Sequence, residues 1–69
     1  MDEHKFIADV ERMVDGLVKK LYDSPKSLRG HLNYWLGRLD GTCDAKPWNS
    51  VDIQRLRAKI STTIETLPW

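Results

Sequence analysis

Four residues with binding chemistry recur at spacings of four, three and four: Ser27, His31, Tyr34 and Arg38. On an α-helix those spacings align the side chains in one row. The row holds a hydroxyl, an imidazole, a phenol and a guanidinium. Tyr and Arg are favoured anchors of protein interfaces, and Arg and aromatic rings also stack on nucleic-acid bases. The imidazole would make such a contact pH-dependent. Segment 24–39 carries Lys26, Arg29 and Arg38 but no Asp or Glu. The row therefore lacks the acids that would neutralise it at i,i+4. Lys26 falls toward the face of Gly30 and Gly37 and is counted with the row. Arg29 falls at the far edge of the apolar stripe and is not. Arg55 and Lys59 are candidates to extend the basic patch. A polar row beside an apolar stripe is also the ordinary form of a solvated helix flank, so the row suggests a partner without naming one.

Reactive chemistry is harder to assemble. His4, His31, Cys43 and scattered acids show no CxxC, HxxxH or HExxH spacing, so no metal site is expected. A nucleophile needs a base held beside it. Cys43 falls in a segment read as a loop and His31 in a helix, and nothing in the spacing brings them together. Ser27 and His31 are one turn apart, a common accident on a helix surface. The four glycines are dispersed, which excludes a phosphate-cradling loop. These readings predict a protein that is not an enzyme and has no cofactor.

The 69 residues make one small domain with a net charge of +1. A domain of this size buries a modest share of its surface, so its stability is marginal. Near-neutrality weakens the case for nucleic acid, whose affinity depends on many phosphate contacts. Charge is nonetheless uneven. Residues 2–15 hold Asp2, Glu3, Asp9, Glu11 and Asp15 against Lys5 and Arg12. Residues 19–38 hold Lys19, Lys20, Lys26, Arg29 and Arg38 against Asp23. A lone cysteine suits a reducing compartment. The polar start, Met1-Asp2-Glu3-His4, lacks the pattern of a signal peptide, and no apolar run reaches the roughly eighteen residues of a membrane span. A cytoplasmic protein is expected.

Three amphipathic segments must position the row. Phe6, Ile7, Val10, Met13, Val14, Leu17, Val18, Leu21 and Tyr22 predict a helix over 3–22. Its stripe covers about half the circumference at about 100° per residue, wide enough to meet two neighbours. Asp23-Ser24-Pro25 breaks the chain, with Ser24 as N-cap and Pro25 at the first helical position. A second helix is expected over 25–40, with Leu28, Leu32, Trp35, Leu36 and Leu39 as its stripe and Gly41 as the residue that stops it. Gly30 and Gly37 lie on the face opposite that stripe, where they would admit another backbone. Residues 41–48 read as a loop. Asn49 or Ser50 caps a third helix over 50–67, with Asn49 and Asp52 resembling a capping box. Its stripe is Ile53, Leu56, Ile60, Ile64 and Leu67. Trp48 is expected as a plug over the core. Trp69 is either a ring folded back on the bundle or a residue that enters a partner.

These elements predict an all-α three-helix bundle with the first helix central. The function expected is protein binding, as a small adaptor, inhibitor or regulatory subunit of the kind phages and plasmids encode. The site would comprise Lys26, Ser27, His31, Tyr34, Arg38 and Trp69, facing an acidic patch on the partner. Two alternatives remain at this stage. Helix two could be the recognition helix of a helix-turn-helix regulator, although the first helix is long for a positioning helix. Alternatively, the wide stripe of helix one could be shared between two copies of the chain.

Overall fold

The Asp2 carboxylate accepts a hydrogen bond from the Lys5 backbone N–H at 2.7 Å, which caps the first turn of the first helix. The computed structural model describes residues 2–67 and contains three helices and no strand among them. Helix α1 runs Glu3–Lys20, α2 Pro25–Ala45 and α3 Val51–Thr66. Glu3 lies in the first turn of α1 and Lys19 and Lys20 in its last, the arrangement the helix dipole favours. Pro25 opens α2 as expected. Ser24 occupies the N-cap position, but its hydroxyl makes no capping bond.

Helix α2 differs from expectation at its far end. Gly41 does not stop it; the helix continues to Ala45, and Lys46 becomes the cap. The reason lies in the apolar stripe. Leu39 and Cys43 are one turn apart, and both are buried in the shared core. Burial stabilises by roughly 0.8 kcal/mol per CH2-sized group, and each residue added to an existing helix adds a backbone hydrogen bond. Together these offset the glycine penalty of up to about 1 kcal/mol. The expected loop over 41–48 shrinks accordingly. Ser50, not Asn49, caps α3, its hydroxyl accepting from the Ile53 N–H at 3.2 Å. Asn49 Oδ1 instead accepts from the Gln54 side chain at 3.1 Å.

The core is one cluster drawn from all three helices. It contains Phe6, Val10 and Val14 of α1, Leu28, Leu32, Leu39 and Cys43 of α2, and Ile53, Leu56 and Ile60 of α3. Ile7, Leu17, Val18, Trp35, Leu36, Ile64 and Leu67 are half-buried around it. Each helix packs on both others, so α1 is not the central one that its wide stripe suggested. Trp48 closes the end of the bundle, its ring centroid 5.5 Å from that of Phe6. A Cβ at Gly30 or Gly37 would meet nothing within 4 Å, so neither admits another segment of this chain.

Ion pairs join two of the three interhelical seams. Arg57 Nε of α3 lies 2.7 Å from Asp40 Oδ1 of α2, a charge contact whose N–H is not aimed at the oxygen. Lys59 of α3 bridges Glu11 at 2.9 Å and Asp15 at 3.0 Å on α1. Arg29 of α2 donates to the Leu67 carbonyl at 3.3 Å, holding the end of α3 against the start of α2. Among the described residues no ion pair crosses between α1 and α2.

Candidate functional site

Helix α2 spaces Ser27, His31, Tyr34 and Arg38 along one flank, and all four are exposed. The stripe of Leu28, Leu32 and Leu39 faces inward and so fixes the direction in which this flank points. Half-buried Trp35 sits at the boundary between stripe and row. Tyr34 and Trp35 meet edge to face, with centroids 5.5 Å apart and planes at 83°. The Arg38 guanidinium lies over the Trp35 ring, 5.8 Å from its centroid. It also comes within 3.5 Å of the Tyr34 hydroxyl, a long hydrogen bond. An aromatic pair and a cation–π contact thus order three side chains that are chemically suited to binding.

The cluster extends to α1, which the sequence pattern did not show. Phe6, Asp9, Val10 and Met13 of α1 line a furrow of about 150 Å³ with Trp35 and Arg38. Tyr34 is 59% exposed and Met13 49%. Met13 belongs to the apolar pattern of α1, and only packing distinguishes it from its buried neighbours. Among the described residues Asp9 is the one carboxylate that lines the furrow, and it pairs with Arg12 at 2.9 Å.

The other expected site residues divide. Ser27 and His31 share the flank but hydrogen-bond no other described side chain, including each other's. Lys26 is exposed and makes no ion pair with a described residue. Trp69 lies outside the described residues. Arg55 and Lys59 do not extend the row, because they line the α1–α3 groove with His4, Ile7 and Glu11. There Lys59 is engaged by its two carboxylates, and its hydrogen bonds to Glu11 and Asp15 hold its pKa above the ordinary lysine value. Tyr22, which the periodicity put at the end of the α1 stripe, lies beyond Lys20 and is 80% exposed.

Cys43 is a helical core residue, not the loop residue its neighbourhood suggested. Burial pushes its thiol pKa up. Arg57 opposes the shift, while Asp40, Glu3 and Asp44 reinforce it. His31 lies twelve residues away on the same helix, about 18 Å along its axis, too far for a nucleophile–base pair. Among the described residues no group of three or more His, Cys, Asp or Glu is placed to hold a metal ion. No described helix is long and apolar enough to cross a membrane.

No protein-family model matches this chain, and no curated protein or solved structure is significantly similar to it.

Proposed function

We propose that this chain is a small, non-enzymatic, cytoplasmic binding protein that acts by occupying a surface on another protein. Its contact face is the flank of α2 that carries Ser27, His31, Tyr34 and Arg38, with Lys26 at its margin. The observation that carries this reading is the state of Tyr34. It is 59% exposed, yet it is ordered against Trp35 and Arg38. An exposed aromatic side chain contributes little to a monomer. Tyr, Trp and Arg are the residue types that dominate binding energy in protein interfaces. Because they are already ordered, they lose less conformational freedom when a partner binds. The absence of acids from segment 24–39 favours a partner with an acidic surface.

The competing readings draw less support. A shared α1 stripe would need apolar residues free to leave the chain's own core, whereas Phe6, Val10 and Val14 are buried within it. A net charge of +1 gives little of the phosphate attraction on which nucleic-acid binding relies.

The test is affinity capture from a lysate of the source organism with the immobilised protein. It is repeated with the triple variant His31→Ala, Tyr34→Ala and Arg38→Ala after its helicity and melting are shown to be unchanged. Loss of specifically captured proteins is expected. Recovery of the same proteins by the triple variant would remove the α2 flank as the site.

A further inference from the structure

We infer that the α1–α2 seam is a groove for an amphipathic helix of a partner protein, one whose apolar face is bordered by Asp and Glu. This deepens the binding role proposed above and rests on it.

The three seams of the bundle are unequal. The α1–α3 and α2–α3 seams each have a cross-helix ion pair, and the α1–α2 seam has none among the described residues. Its opening is mostly apolar, with Asp9 and Arg38 as the charged members of its lining. Phe6, Val10 and Trp35 form its floor, and Met13 stands half in solvent beside them. An apolar space of about 150 Å³ takes a group the size of benzene. The furrow, at about 150 Å³, is thus sized for one large apolar side chain. The Met13 side chain is unbranched and polarizable, so it can adapt to the shape of that group.

Charge complementarity selects the rest of the occupant. Along α2 the groove is edged by Arg38, and His31 lies two turns back on the same flank. Along α1, Asp9, Met13, Gly16 and Lys20 repeat the spacing of four, three and four and so form one edge. Residues 21–24 connect the two helices tightly, so α1 and α2 run antiparallel and Lys20 falls toward the Ser27 end. Arg38, His31 and Lys20 make no ion pair with a described residue, and the one acid on this edge, Asp9, is held by Arg12. Carboxylates bordering the apolar face of a partner helix would meet Arg38 on one edge and Lys20 on the other, with the His31 ring as a further hydrogen-bonding group.

A helix also fits the shape of the groove. Two antiparallel helices present a furrow into which a third packs by ridges and grooves, turning three helices into four. From Ser27 to Arg38 the flank is about 16 Å long, three turns of helix.

Two synthetic amphipathic peptides test the inference. They share one apolar stripe and differ only in whether Glu or Lys borders it. Binding is read by anisotropy of a dye on the peptide. The Glu peptide is expected to bind at least tenfold tighter than the Lys peptide, and more weakly as salt is raised. Met13→Glu and Arg38→Glu, each checked for an unchanged melt, should weaken it tenfold or more. Equal binding of both peptides, or none by the Glu peptide at millimolar concentration, would overturn the inference. So would displacement of the Glu peptide by a DNA duplex. Capture of a partner that survives Met13→Glu but is lost with the triple variant would also overturn the groove, while leaving the α2 flank as the binding site.

Discussion

Gly41 provides a decisive test, because the two ways of ending α2 give opposite signs for one substitution. In the structure Gly41 is helical, no glycine has a positive φ, and a Cβ there would meet nothing within 4 Å. Gly41→Ala therefore adds no clash, and it removes backbone freedom from the unfolded chain. Each such replacement within a helix stabilises by about 0.5–1 kcal/mol. If Gly41 were instead the left-handed residue beyond a helix ending at Asp40, the added Cβ would destabilise by about 1 kcal/mol or more. The two geometries thus differ by about 1.5–2 kcal/mol at one position. In a domain of this size 1 kcal/mol moves Tm by about 4–8 °C. Gly41→Ala is expected to raise Tm by about 2–8 °C in a thermal melt followed by far-UV circular dichroism. Gly30→Ala and Gly37→Ala serve as controls, since both sites are mid-helix and equally open. The three changes together should add about 1.5–3 kcal/mol, read as a higher urea midpoint at unchanged slope. A fall in Tm for Gly41→Ala alone, with gains at the other two positions, would refute the continuous α2 and the burial of Cys43 that depends on it.

Two other groups give independent checks. Lys59 has a raised pKa in the folded chain, so its bridge to Glu11 and Asp15 is at full strength below the ordinary lysine value of 10.5 and is lost as pH rises through the folded value. Lys59→Met should cost about 0.5–1 kcal/mol at pH 8, the modest value of solvent-screened pairs. The gap between variant and wild-type melts should close above pH 10.5; a gap independent of pH would show that the bridge contributes nothing. The buried Cys43 thiol, with its pKa raised chiefly by burial, should react with a thiol reagent only at the rate at which the chain opens, and at once in denaturant. Rapid native labelling would refute the packing at that end of α2.

The elements were legible wherever the chain's local chemistry and its periodicity agreed. Pro25 after Ser24 marks the start of α2, and the repeat of Ile53, Leu56 and Ile60 marks the inner face of α3. The role of Trp48 was likewise readable, as an aromatic placed just before a helix that must close a small core. Gly41 misled because glycine commonly ends helices, while the burial that kept α2 going comes from neighbours distant in sequence. The exposure of Met13 was hidden for a related reason. A helical pattern shows which residues are apolar, but not where the neighbouring helix stops covering them.

The sequence by itself determined the three amphipathic helices and the common flank of Ser27, His31, Tyr34 and Arg38. Both follow from the 3.6-residue repeat and from local stops, which act over a few residues. Only the tertiary structure decided what surrounds that flank. Lys59 lies on α3 and could have extended the basic patch, but packing committed it to Glu11 and Asp15. Met13 and Trp35, from separate helices, came to line one furrow beside Arg38. Such pairings depend on how helices rotate and cross once their stripes are buried. That choice is collective, made by the whole core, and no single segment encodes it.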